Sequence, residues 1–218
     1  MDLNGDGKKD VISGSYPGQL YLFTRKNSGA FADGVVMNDK KGLPLNMGRA
    51  TSVAIADWDG DGDMDLVVGN MDGAVYSVIN EGTTTKPSFG TPKPIQAAGK
   101  ALTVSDLAGP CVADWDNDGL PDLLVGDGKG AVGFYKNIGT KTEPKLSARV
   151  ELIPQSSSSN IPDKQDNPDR SGMRVKISTF DWNQDGLLDL LVGDFSSDRG
   201  KYHGWAWVYQ RTKEAEKK

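Results

Sequence analysis

The stretch Asp57-Trp58-Asp59-Gly60-Asp61-Gly62-Asp63-Met64-Asp65 limits what this chain can fold into more than any other. It sets carboxylates at positions 1, 3, 5 and 9 of a nine-residue segment, with glycine at position 6. Side chains two residues apart in a tight loop can converge on one point, and glycine lets the backbone turn sharply there. Hard oxygen donors converging at about 2.3–2.6 Å are what Ca²⁺ requires. The stretch then recurs as Asp114-Trp115-Asp116-Asn117-Asp118-Gly119-Leu120-Pro121-Asp122 and as Asp181-Trp182-Asn183-Gln184-Asp185-Gly186-Leu187-Leu188-Asp189. A fourth copy, Asp2-Leu3-Asn4-Gly5-Asp6-Gly7-Lys8-Lys9-Asp10, opens the chain. All four read D-x-[DN]-x-D-G-x-x-D.

The loops begin at residues 2, 57, 114 and 181, and more than the loop repeats. Each runs straight into an apolar, β-like segment: Val11-Ile12-Ser13-Gly14, Leu66-Val67-Val68-Gly69, Leu123-Leu124-Val125-Gly126 and Leu190-Leu191-Val192-Gly193. A turn and an alternating strand follow, over residues 19–24, 74–79, 131–136 and 204–210. Weaker strand-like segments lie near Val35, Ile95 and Val150, and apolar strands precede three loops at 51–56, 110–113 and 175–180. Four short antiparallel strands in a unit of about 55–60 residues predict an all-β fold, a β-propeller of four-stranded antiparallel blades rather than a helical solenoid. Residues 1–210 form the repeat array, and 211–218 read as a solvated tail or the start of a removed segment. The first unit lacks a strand before its loop and the last lacks one after Gln210. The four repeats are therefore a piece of a larger ring, or the unpaired blade edges are covered by closure or self-association. Two insertions break the period. Residues 154–172, with Ser156 to Ser159 and three prolines, read as an exposed loop, and 196–202 lengthens the last turn.

Here the residues resemble a family. The D-x-[DN]-x-D-G-x-x-D loop feeding an [LV]-[LV]-V-G strand is similar to the FG-GAP/VCBS repeat, the calcium-binding propeller repeat of integrin α-subunit heads and of many secreted bacterial proteins. The resemblance implies side-chain ligands at positions 1, 3, 5 and 9 and a carbonyl ligand at position 7. Those are Asp2, Asn4, Asp6, Lys8 and Asp10 in the first loop; Asp57, Asp59, Asp61, Asp63 and Asp65 in the second; Asp114, Asp116, Asp118, Leu120 and Asp122 in the third; Asp181, Asn183, Asp185, Leu187 and Asp189 in the fourth. Up to four Ca²⁺ are expected, one per loop, in a structural role, with tighter binding in the middle pair because ligand charge helps tune affinity. An EF-hand needs an acid at position 12, where this chain has Ser13, Val68, Val125 and Val192, and needs flanking helices rather than strands.

Charge and side-chain chemistry narrow the function. The loops hold half of the 30 acidic residues, so the net charge of −5 is local to them, and no long basic run suggests nucleic acid. No apolar run reaches the roughly 20 residues of a membrane span. Cys111 is the sole cysteine and reads as a small buried hydrophobe. His203 is the sole histidine, which argues against a zinc site and a Ser-His-Asp set. Trp58, Trp115 and Trp182 share loop position 2 and are expected to pack between blades, with sugar stacking as the alternative. Trp205, Trp207 and Tyr209 are expected on one face of a strand. The reading is a non-catalytic, calcium-stabilised binding module for a protein or glycan partner. The alternative is a lectin-like carbohydrate-binding module, or a propeller appended to a polysaccharide-degrading enzyme. An enzyme with its site in the central channel or on the 154–172 loop is a third. The resemblance implies a secreted, periplasmic or cell-surface location, with any signal peptide removed upstream of Met1.

Overall fold

The computed structural model describes residues 1–155, 172–198 and 201–212. The segment 156–171, most of the first insertion, lies outside them, as do the tip of the second at 199–200 and the tail residues 213–218.

Each repeat folds as the loop-and-strand order predicts. The first blade pairs β1 (Val11–Ser13), β2 (Tyr21–Phe23) and β3 (Val35–Val36). The second pairs β4 (Ser52–Ala56), β5 (Asp65–Gly69), β6 (Val75–Val78) and β7 (Lys93–Pro94), followed by a small hairpin of β8 (Gln96–Ala97) and β9 (Lys100–Ala101). The third is β10 (Gly109–Ala113), β11 (Asp122–Gly126), β12 (Val132–Tyr135) and β13 (Val150–Ile153). The fourth joins β14 (Met173–Phe180), β15 (Asp189–Asp198) and β17 (Ala206–Tyr209), with β16 (Lys201–His203) extending β15 as a hairpin. Every pairing within the blades is antiparallel. The four sheets stand side by side as a four-blade β-propeller, and the described residues contain no helix. The innermost strands β4, β10 and β14 are neighbours. As expected, the first blade has no such strand and the fourth has none outside β17 among the described residues.

The strand leaving each acidic loop is the packing centre. β5 and β11 are buried at all five positions. Their alternating side chains therefore feed two cores. Leu66 and Val68 point back to the first blade with Leu3, Leu20 and Val78, while Val67 points forward to Leu123, Val125 and Tyr135. Leu124 in turn points forward to Val175, Leu190 and Val192. Each fully buried Val or Leu contributes roughly 1.5–3 kcal/mol. Cohesion thus lies at the junctions between blades, as in other repeat arrays. Among the described residues there are three such cores for four blades, and none joins the fourth sheet to the first.

The close junctions depend on the glycine that ends the apolar run. A Cβ at Gly69 would stand 2.3 Å from the Ala108 carbonyl oxygen, and one at Gly14 2.1 Å from that of Thr51. Neither approach admits a side chain.

Candidate metal centres

All four acidic loops share one backbone path. Position 6 is left-handed in each: Gly7, Gly62, Gly119 and Gly186 have φ of 82°, 94°, 87° and 85°. Position 4 is left-handed as well, at Gly5 (74°), Gly60 (73°), Asn117 (62°) and Gln184 (60°). Asn tolerates that region and Gln less so, so the fourth loop carries more backbone strain than the first. At position 5, Asp6, Asp61, Asp118 and Asp185 each accept the N–H of position 7 through Oδ1 at 2.8–3.0 Å. Those contacts make the turn self-supporting.

The position 9 aspartates are the buried members of the set: Asp10, Asp65, Asp122 and Asp189. One oxygen of each accepts the N–H of loop position 2, at 3.1 Å from Leu3, 2.9 Å from Trp58, 3.0 Å from Trp115 and 2.9 Å from Trp182. The other oxygen accepts an N–H just past the end of β2, β6, β12 or β17, the strand paired to the one that leaves the loop, from Arg25, Asn80, Asn137 and Arg211 at 2.7–2.9 Å. Each carboxylate is therefore a clasp between the loop and a strand end 15 residues away in three repeats. In the fourth, where the hairpin is inserted, the distance is 22. Burial pushes the Asp65 carboxyl up to about 6 despite the hydrogen bonds from Asn80 and Trp58, and raises Asp122 for the same reason.

Positions 1, 3 and 5 distinguish the loops. In the first, third and fourth, the position 1 carboxylate folds onto the loop's own amides: Asp2 accepts from Gly5 and Gly7, Asp114 from Asp118 and Gly119, and Asp181 from Asp185 and Gly186. In the second loop it does not. There Oδ1 of Asp57 and Oδ1 of Asp59 are buried with no hydrogen-bond partner among the described residues. Oxygens of Asp57, Asp59 and Asp61 lie within 4.8 Å of one another. Burial first, and the Asp61 charge second, raise the Asp59 carboxyl above its usual range. Unpaired buried carboxylate oxygens facing each other are costly unless a cation joins them. The donor set, all hard oxygen, fits Ca²⁺.

The third loop also gathers three carboxylates, Asp114, Asp116 and Asp122, within 4.8 Å. A cation of the chain itself already reaches this site. The Lys136 ammonium pairs with Asp116 and stands 2.9 Å from Asp118, holding the Asp118 carboxyl below its usual range. Among the described residues the second loop has only the more distant Lys141, 3.6 Å from Asp57. In the first loop Lys8 pairs with Asp6 at 2.9 Å. The first and fourth loops carry Asn4 and Asn183 at position 3, and each side-chain oxygen accepts the N–H of position 5.

Sequence reasoning missed several contributors. Lys136 directly follows β12, the second strand after the loop, far from the motif. Thr84 donates to Asp63 at 2.8 Å from the next turn. Buried Asn80 and Asn137 each organise a following turn by accepting two amides. The repeated Asn-x-Gly-Thr turns were the available signal.

The tryptophans at position 2 behave in two ways. Trp58 and Trp115 are buried between blades, as expected. Trp182 is not: it is 57% exposed, because among the described residues no blade follows the fourth. The aromatic face is corrected too. Trp207 and Tyr209 pack on the core, but Trp205 precedes β17 and is exposed, its N–H held by Asp194 at 3.0 Å. Cys111 is half-buried against the core between the third and fourth blades.

A propeller in which every blade carries the same nine-residue acidic loop defines an acidic-loop repeat protein. The chain belongs to the FG-GAP-like repeat family, whose model matches residues 2–68, 57–125 and 114–192. It is similar to integrin alpha-6 of Gallus gallus, 37% identical over 123 residues, which span 50% of this chain and 11% of that protein. It is also similar to integrin alpha-7 of Homo sapiens, 25% identical over 188 residues, spanning 81% of this chain and 14% of the relative. The chain thus matches only a small part of these relatives' length. Among solved structures, one described as the recognition of non-reducing terminal N-acetylglucosamine by an Agrocybe aegerita lectin shares the fold. It has a TM-score of 0.50 and 16% identity, over 96% of this chain and 56% of that one.

Proposed function

We propose that this chain is a calcium-stabilised, non-catalytic binding module of a secreted or cell-surface protein. The observation that carries the reading is the second loop, where two buried carboxylate oxygens have no hydrogen-bond partner among the described residues. Asp57, Asp59, Asp61 and Asp65, with the Asp63 carbonyl, would hold the ion there, and the equivalent residues would do so in the other three loops. When bound, the ion neutralises mutually repelling carboxylates. The protein's own groups do the rest. The position 5 aspartates set the turn, and the position 9 aspartates pass its order to the strand end. The test is calorimetric titration of chelator-stripped protein with calcium, together with melting curves in calcium and in EGTA. Loading to 100 times Kd adds about 2.7 kcal/mol per site. For a chain of this size that raises the melting temperature by about 5–10 °C. No heat of binding at millimolar calcium and coincident melting curves would refute the reading.

A glycan is the second partner class, supported by the exposed rings of Tyr202 and Trp205 beside the inserted hairpin. Tyr202 stacks on Phe195 at 5.5 Å, and Arg174 lies 5.0 Å over the Phe195 ring. Glycan-array binding that disappears in Tyr202→Ala and Trp205→Ala would select it. Array binding that survives both changes would move the contact elsewhere.

A further inference from the structure

One strand position carries an aromatic ring in three blades and nothing in the third. It faces the residue just before the closing glycine: Tyr21 opposite Ser13, Tyr76 opposite Val68 and Trp207 opposite Val192. In the third blade the residue opposite Val125 is Gly133. Tyr76 packs on the core between the first and second blades, and Trp207 on the core between the third and fourth. The junction between the second and third blades lacks that ring, and a cavity of about 260 Å³ opens there.

The cavity is walled by small apolar groups. Ala97, Ala101 and Leu102 come from the β8–β9 hairpin, and Ala148 with the Tyr135 ring from the third blade. The hairpin is fixed in place, since the Ala98 N–H donates to the Leu146 carbonyl at 2.9 Å. Two polar groups stand in this apolar setting. Tyr135 is 4% exposed, and its hydroxyl makes no hydrogen bond with the described residues. Such a hydroxyl is costly until something bonds to it. The second group is Arg149. Its side chain lies across Gly133, where an added Cβ would meet its Cγ and Cδ at 3.0 Å. Gly133 has no left-handed φ, and its nearest neighbours are all atoms of Arg149. A mid-strand glycine with neither of the usual backbone reasons marks room kept for something else. Glu151 takes one N–H of the guanidinium at 3.3 Å, out of the five that such a group carries. Burial pushes the Tyr135 hydroxyl up, and the Arg149 charge opposes that, so the two groups act on one another.

We propose that this cavity is a binding site for a small planar aromatic carboxylate, with its ring between the alanine walls and its carboxylate on Arg149. The Tyr135 hydroxyl donates to the same carboxylate. An apolar pocket with a few convergent polar groups is the usual form of a small-molecule site. A guanidinium matches a carboxylate with two parallel hydrogen bonds. A bare anion would leave the apolar walls unused, and a neutral ring would leave the arginine and the hydroxyl unused.

The test is calorimetric titration of the full chain, in saturating calcium, with benzoate, phenylacetate and indole-3-acetate. Acetate and benzyl alcohol are the controls for anion alone and ring alone. At least one aromatic carboxylate binds with a dissociation constant on the order of 0.1 mM, and both controls bind roughly tenfold or more weakly. Arg149→Gln costs the carboxylate roughly tenfold or more, and Tyr135→Phe roughly fivefold. Gly133→Tyr restores the ring that the second blade has in Tyr76. It abolishes binding while the urea midpoint stays at or above that of the wild type. Saturable heat from none of the three carboxylates at millimolar concentration overturns the proposal. Binding that survives Gly133→Tyr overturns it too, because the ligand then sits elsewhere. A lowered midpoint in Gly133→Tyr would show that the junction has no room for a ring. Acetate or benzyl alcohol binding as tightly as the best carboxylate overturns the assigned ligand class.

Discussion

Trp58→Ala and Trp182→Ala make the same chemical change at the same position of the same repeat, and the structure gives them different costs. A tryptophan side chain offers about 200 Å² of surface. Trp58 is 5% exposed and sits in the core shared with Leu123, Val125 and Tyr135. At about 25 cal/mol per Å², its burial is worth about 5 kcal/mol. Truncating it also opens a cavity that the flanking strands cannot fill, and losses of about 3–5 kcal/mol are usual for such changes. Trp182 is 57% exposed and makes an edge-on contact with Phe180 at 6.3 Å between ring centres. Less than half its surface is removed from water, which bounds the loss at about 2 kcal/mol. The difference, about 2–3 kcal/mol, corresponds to about 5–10 °C in melting temperature for a chain of this length. Urea unfolding in saturating calcium, followed by circular dichroism so that the tryptophans are not also the probe, measures both variants on one scale. Equal destabilisation of the two would refute the reasoning. It would show that position 2 is needed inside its own blade, and that burial between blades is incidental.

Three further outcomes follow from the loops. Lys136→Met frees Asp116 and Asp118 of their internal partner and should raise calcium affinity at the third loop roughly three- to tenfold, measured by titration calorimetry; unchanged affinity would mean the lysine yields to the ion without cost. For the same reason the second loop, with unpaired Asp57 and Asp59 oxygens, should fill before the third, and Asp59→Asn should remove the tightest binding step; loss of a weaker step instead would reverse the order. In chelator, Asp65 binds its proton more tightly folded, at about 6, than its ordinary 3.8, so the folded chain carries more protons between those values. Stability then falls as pH rises from about 4 to 6, by at most about 3 kcal/mol from this group. Denaturation curves of wild type and Asp65→Asn across that range should show a smaller fall in Asp65→Asn, where only the other raised carboxyls, Asp59 and Asp122, contribute, and parallel curves would contradict it.

The repeat made most of the fold legible. A D-G-x-x-D loop followed by Leu66-Val67-Val68-Gly69 announces a turn, then a strand buried on both faces, and the structure has both. What the repeat could not announce is whether a neighbour is present. Trp58, Trp115 and Trp182 are identical as letters, and only the arrangement of blades separates buried from exposed. The Trp205 expectation failed for a local reason, since Asp194 holds its amide and delays the strand by one residue. At the loops, spacing pointed to a convergent donor set but not to the division of labour within it. That position 9 holds backbone amides at both its oxygens depends on Asn80 or Arg211, which lie 15 and 22 residues downstream. The lysine beside the third loop was hidden likewise, because Lys136 joins it through a sheet pairing.

The clasp made by the position 9 aspartates closes entirely within one blade, whereas every apolar core is shared between two. An array built this way is easily lengthened or shortened. A segment duplicated from one acidic loop to the next keeps its polar clasp intact, wherever it is spliced, and only has to find an apolar neighbour. The fourth repeat already displays that tolerance: seven extra residues separate Asp189 from the amide it holds, and the bond is made at 2.8 Å all the same.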